Sequence, residues 1–263
     1  MHYLYPNLIT LFMKIRTLTS VVFLGLAAIA CKEKDLSEEN PYVDPNNVEI
    51  GFSAVYGGNG FNPDSLITNI HGNDFFIDSI QLLTSNFYLV NRQDTLGPDP
   101  QYAFISSYNN TVRVARVEPG FYSGRLKLDI GLDSLENATN APSNTSEDAL
   151  KKAQDLYETK FGYYNIIIHG RLIDEDDATD STGSIPLLYK LGGEEIVTTA
   201  SSEFKNFAVD ANKKAFFILY IDLKGALHYL NLKQRPLIES DPTNTQDYNA
   251  ALTMLDSLDF QIF

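Results

Sequence analysis

From Val48 onward the chain is patterned with period two. Val48, Ile50, Phe52 and Ala54 alternate with shorter or polar residues, and Leu126, Leu128, Ile130 and Leu132 alternate with Arg125, Lys127, Asp129 and Gly131. Alternation of this kind turns one face of an extended chain to a core and the other to water, so each run predicts a half-buried strand. The same logic predicts strands over 80–91, 102–106, 111–117, 163–173, 185–191, 195–200 and 215–222. Two runs, Ile166-Ile167-Ile168 and Phe216-Phe217-Ile218-Leu219-Tyr220, are apolar at successive positions, which predicts central strands buried on both faces. Turn residues separate the runs, as in Gly57-Gly58-Asn59-Gly60 and Gly97-Pro98-Asp99-Pro100.

Helical spacing interrupts this pattern twice. Thr145 and Asp148 stand at capping-box separation, and Ala149, Ala153, Leu156 and Tyr157 follow on one helical face. Ala251, Met254, Leu255 and Leu258 form a second such face, before Phe260–Phe263 becomes extended again. The expected fold is therefore all-β: one mainly antiparallel, sandwich-like domain over residues 48–263, with one or two short helices.

Upstream of Val48 the pattern changes character. From Met13, read here as the initiator, Lys14 and Arg16 form a positive start and Val21–Ala30 an apolar run too short to span a bilayer. Ala28-Ile29-Ala30-Cys31 resembles a bacterial lipobox, in which the cysteine is lipidated (palmitate among its acyl chains) and becomes the mature N-terminus. An ordinary secretory signal cut near Ala30 would instead leave a free thiol. Residues 1–30 are thus read as a signal peptide and 31–47 as a lipidated N-terminus and flexible tether. The tether is rich in Pro and Asn, and its Lys32-Glu33-Lys34-Asp35 run resembles the charged export signal of surface lipoproteins in Bacteroidetes-type bacteria; a plain solvated spacer accounts for it equally. The expectation is an outer-membrane lipoprotein of the cell envelope, on the periplasmic face or the cell surface, held to the membrane through its lipid.

Composition narrows the chemistry. Of 263 residues, 34 are Asp or Glu against 20 Lys or Arg, giving a net charge of −14, which argues against a nucleic-acid partner. A single cysteine excludes an internal disulfide and multi-thiolate metal sites. No nucleophile elbow, phosphate loop, dinucleotide fingerprint or His-Glu-x-x-His is present, so no catalytic residue is assigned and a non-enzymatic role is expected. The run Asp174-Glu175-Asp176-Asp177 is rich in oxygen ligands but lacks the glycine and glutamate spacing of a calcium loop, and is read as a charged hairpin tip.

Four phrases occur in order along the folded part. They are Phe75-Phe76-Ile77 with Leu83-Thr84-Ser85-Asn86-Phe87; Gly120-Phe121-Tyr122 with Leu128-Asp129-Ile130-Gly131-Leu132-Asp133 and Asn137; Asp155-Leu156-Tyr157 through Gly162-Tyr163 to Gly170; and Leu188-Tyr189-Lys190-Leu191-Gly192-Gly193. Together they resemble the MbnP-like family, periplasmic or surface proteins related to a methanobactin-associated copper-binding protein. The resemblance implies a β domain from Val48 to the C-terminus, a copper link and a companion envelope protein as partner.

Against that family's pattern, Tyr157 and Thr159 stand at tryptophan positions, Lys190 stands for a histidine, His169 stands for a glutamate, and Val48–Val55 holds no histidine. Copper prefers imidazole and sulfur ligands, so these replacements weaken the copper link while leaving the fold expectation intact. Any metal would have to draw on His71, His169 and His228, no two of which lie at ligand spacing. A second class of function is a surface module that binds glycan or another envelope protein through tyrosines, of which there are 15.

Overall fold

A computed structural model describes residues 47–60, 62–90, 95–96, 102–107, 111–133, 137, 141–143, 145, 148–173, 184–193, 197–209 and 214–263. All lie within one compact unit, Pro45–Phe263. The signal segment, Cys31, the tether up to residue 46, the turn at Gly97 and the acidic run from Asp174 fall outside the described residues.

The strands are β1 (Asn47–Tyr56), β2 (Asn59–Gly60), β3 (Ile67–Thr68), β4 (Asp74–Val90), β5 (Thr95–Leu96), β6 (Tyr102–Ser106), β7 (Thr111–Arg116) and β8 (Gly120–Ile130). They continue as β9 (Tyr157–Glu158), β10 (Gly162–Tyr163), β11 (Ile166–Ile173), β12 (Ser184–Leu191), β13 (Thr198–Val209), β14 (Ala215–Asp222), β15 (Leu237–Glu239) and β16 (Asp259–Ile262). Ten of these form the path β15-β12-β11-β4-β8-β13-β16-β14-β1-β2 of a single sheet; β3, β5 and β6 add to β4, and β7 adds to β1. The all-β class expected from the alternation is present. The pairing is mixed, because β1 runs parallel to β14, β12 to β15 and β13 to β16.

β4 joins the two halves of the sheet. Its Leu82 pairs with Ile166 of β11, whereas Thr84 pairs with Ile130 of β8. A register shift between Ser85 and Tyr88 follows the handover, and Asn86 there has φ 50°, a left-handed conformation that asparagine tolerates better than most residues. As a result Ile80, Leu82, Ile166 and Ile168 share one hydrophobic core with Val48, Ile50, Leu219 and Ile221 of the other half, as a sandwich requires. A smaller cluster packs on the opposite side of β4 and β11, where Leu83 and Ile167 meet Leu150, Leu156, Tyr163 and Tyr164.

Helices occupy Asp148–Lys152, Lys224–Leu227 and Thr245–Asp256. The last matches its expected face: Asn244 caps it by accepting from the Asp247 amide, and Ala251, Met254 and Leu255 are buried. The first is shorter than its spacing suggests. After a single 3-10 turn, Tyr157 leaves the helical path to pair with Tyr163, so the apolar face is delivered by two elements. The helix at Lys224 carries too few residues to show a period. Among the described residues no helix is long and apolar enough to cross a membrane.

Candidate functional site

The structure brings two of the three candidate histidines into one neighbourhood. Asn69 stitches the turn that follows β3 onto the segment after the Lys224 helix. Its amide donates to the Leu230 carbonyl at 2.8 Å, while its Oδ1 accepts from the His71 and Asn73 amides at 3.0 and 3.1 Å. Asn73 Oδ1 in turn accepts from the Leu232 amide at 3.0 Å. His71 Nε2 lies 3.0 Å from the Tyr229 carbonyl, and His228 Nδ1 lies 3.1 Å from the Tyr56 hydroxyl, with the His228 ring edge-on to Tyr229. His169 is elsewhere, on β11 opposite Ser79 and Leu188.

These positions do not make a copper centre among the described residues. No three His, Cys, Asp or Glu side chains there converge on a common point. The two neighbouring imidazoles each direct a nitrogen at a protein oxygen, and Cys31 lies outside the described part.

Beside Tyr56 the fold opens a cleft of about 300 Å³. Its floor is apolar, from Val55, Ile67, Ile77 and Leu223, and its rim is polar, from Asn59, Asn62, Ser65 and Thr68. The rim is held by local bonds that its own sequence supplies. Asn62 Oδ1 accepts from the Asp64 amide and the Asn62 carbonyl from the Ser65 amide, an Asx-type turn. Thr68 Oγ1 donates to Asp74 at 2.5 Å, fixing β3 on β4.

Next in sequence to the lining residue Leu223, and bonded to the neighbour of Tyr56, Asp222 Oδ1 accepts from the Gly57 and Lys224 amides, both at 2.9 Å, and ties the β1–β2 turn to the helix at Lys224. Gly57 and Gly58 take left-handed φ of 61° and 84°, which explains the glycines of that turn. Burial, and secondarily the charge of Asp222, push the Tyr56 phenol above its ordinary pKa, so it stays a neutral hydroxyl held by His228. Among the described residues no charged side chain lines the cleft. The sequence marks its wall only as a turn, because β2, β3 and the 62–65 turn are too short for any periodic signal.

The four phrases build scaffold instead. Asn165 is fully buried between two glycines of different phrases: a Cβ on Gly131 or on Gly192 would fall 2.3 Å from its side chain. The Asn165 amide donates to the Leu191 carbonyl and its carbonyl accepts from the Leu83 amide, joining the first and fourth phrases. Asn137 repeats the device against Gly162, accepting from the Tyr163 amide at 2.5 Å and donating to the Tyr163 carbonyl at 3.3 Å. Lys190, in the phrase position where the resemblance implies histidine, pairs with Glu239 at 3.0 Å and lies over the Tyr164 ring, while the Tyr164 hydroxyl donates to the same carboxylate at 2.5 Å. Burial first, and then that bond to Glu239, raise the Tyr164 pKa, so Tyr164 remains a donor. An ion pair that fastens β15 to β12 therefore stands where a soft-metal ligand is implied.

Comparison with known proteins gives the lineage. The chain is similar in structure to MbnP from Methylosinus trichosporium, with 15% sequence identity, a TM-score of 0.45, and coverage of 68% of this chain and 76% of that one. No curated protein matches it. The MbnP family model matches residues 45–245, most of the chain and nearly all of the described domain, and the chain belongs to the MbnP family.

Proposed function

We propose that the protein is a lipid-anchored binding protein of the cell envelope, tethered through Cys31, that takes its ligand in the cleft beside Tyr56. The observation that carries the binding role is the cleft itself: its volume suits a small molecule, and an apolar floor with a few fixed polar groups is the usual build of such sites. The anchor rests on the apolar run Val21–Ala30 that ends at Cys31. The role is read as binding: the described residues that line the cleft offer it amides and hydroxyls over an apolar floor.

Copper enters through the family and not through a donor set. Amide and hydroxyl oxygens suit a neutral, hydroxyl-rich organic ligand better than a soft metal. That chemistry favours a glycan unit stacked on the Tyr56 ring. A neutral-oligosaccharide array and calorimetry with Cu(I) and Cu(II), both on the mature lipidated protein, test this. The expected result is oligosaccharide binding that weakens about tenfold or more in Tyr56→Ala, the cost of one lost stacking and hydrogen-bonding side chain. A blank array, with stoichiometric copper that His71→Ala or His228→Ala abolishes, would overturn it in favour of copper.

A further inference from the structure

The second face of β14 is apolar and uncovered. Phe216 is 53% exposed and Ile218 39%, although their neighbours Phe217 and Leu219 are buried in the core. Register extends this face across the sheet. Ile218 pairs with Gly51 of β1 and exchanges both backbone hydrogen bonds with Phe263, itself 54% exposed. Tyr220 sits edge-on to Phe263 at 5.6 Å, and Phe204, 55% exposed, continues the apolar surface on β13. Gly51 lets the plate lie flat: a Cβ there would fall 2.6 Å from Phe216 Cζ, so the Phe216 ring rests directly over the β1 backbone. Exposed, contiguous apolar surface of this kind marks a contact site.

The surroundings of the plate favour one occupant. Arg125 and Lys127 of β8 are exposed on the same face, Arg125 opposite Phe204 and Lys127 opposite Ser201, a basic margin in a chain of net charge −14. The position of the tether adds to this. Residues 31–46 enter the fold at Asn47, and two residues later Glu49 stands in register with Phe216. An acyl anchor on Cys31 would hold that root within about 55 Å of the bilayer, the fully extended reach of the tether.

We propose that this aromatic plate is a membrane-docking surface, with Phe216, Ile218 and Phe263 seated at the headgroup boundary and Arg125 and Lys127 meeting anionic lipid phosphates. The proposal rests on the lipid-anchor reading above. The acyl chains on Cys31 would hold the chain at the membrane while the tether leaves the domain free to turn, and a second contact of this kind fixes how it sits. Docking would seat the outer face of β14 against the bilayer, with β15 at the far end of the sheet path.

The natural chain has no tryptophan, so one introduced residue reports alone. Phe216→Trp, Phe263→Trp and a control, Leu237→Trp on β15, are purified as the full lipidated protein. Each is floated with phosphatidylethanolamine–phosphatidylglycerol vesicles, with and without brominated phosphatidylcholine. The expected result is flotation of all three, with brominated lipid removing about half the emission at 216 and 263, as a side chain seated at the acyl boundary requires, and leaving 237 unchanged. Flotation with no quenching at 216 and 263 would overturn the plate and leave the anchor standing, including the case of a plate shielded by a second copy. Failure to float would overturn the anchor and the plate together. Having the reporter at two positions keeps the test open if one variant folds poorly.

Discussion

Two stretches carry the same continuous apolar signature and end in opposite surroundings. Ile166, Ile167 and Ile168 of β11 are all buried, the first and third in the main core and the second in the smaller cluster. In β14 the inner positions Phe217, Leu219 and Ile221 enter the core, but Phe216 and Ile218 remain open. What differs is the covering. Residues 148–164 fold over the outer face of β11, supplying Leu150, Ala153, Leu156, Tyr163 and Tyr164, whereas no described residue covers the outer face of β14. A run without polar interruption says that both faces avoid water. It does not say whether the chain itself or something outside it provides the shelter.

The closed region should be intolerant in a way the open one is not, and the largest effect is expected at its glycine–asparagine contact. Gly192→Ala combines a φ of 107° with a Cβ 2.3 Å from the buried Asn165 side chain, which has nowhere to move. We expect it to cost more than about 3 kcal/mol in urea unfolding, or to abolish folding. Gly58→Ala, with φ 84° and nothing within 4 Å, is the matched control and should lose only about 1 kcal/mol. Equal losses would show that backbone conformation alone, and not the packing around Asn165, makes the position sensitive.

Much of this architecture is legible in the sequence alone. The strand at 102–106 and that at 215–222 fall where the alternation puts them, and the C-terminal helix shows its face through Ala251, Met254 and Leu255. The short helix Lys224–Leu227 and the strand Leu237–Glu239 escape, since elements of three or four residues carry no period. β13 runs on to Val209 through Ser202, Glu203 and Lys205 because a register shift between Ser201 and Phe204 breaks the alternation that the eye follows. The cleft is illegible for a related reason: its walls come from β1, β3, β4 and the segment at Leu223, far apart in sequence and joined only by tertiary folding. Of the histidines, the meeting of His71 with His228 depends on Asn69, whose role no local motif announces.

A matched pair of substitutions sharpens the comparison directly. Ile167→Ala removes a side chain enclosed by the smaller cluster and should destabilise by about 2–4 kcal/mol. Ile218→Ala removes one that faces out, and should change stability by less than about 1 kcal/mol in the absence of lipid. Denaturant midpoints at constant slope measure both. A large loss at Ile218 in the lipid-free protein would mean that the plate is already sheltered by protein.

The smallest effect lies at alkaline pH, and it too separates the regions. In the closed region burial raises the pKa of Tyr163, Tyr164 and Tyr189; Tyr189 is 1% exposed, and its hydroxyl donates to the Arg235 carbonyl at 3.1 Å. For a phenol whose folded pKa is raised, the fold retains the proton that the unfolded chain gives up. The stabilisation is therefore complete below the ordinary value of 10.0 and is lost as pH rises past it. At one pH unit above 10, Tyr189 alone should cost the fold about 1.4 kcal/mol. Tyr189→Phe cannot ionise in either state. It should start about 1 kcal/mol less stable at pH 7, for the lost hydrogen bond, and then converge on the natural protein between pH 10 and about 11. Two unfolding curves that stay parallel across that range would place the alkaline sensitivity outside the β12 core and break the contrast drawn between the closed and open faces.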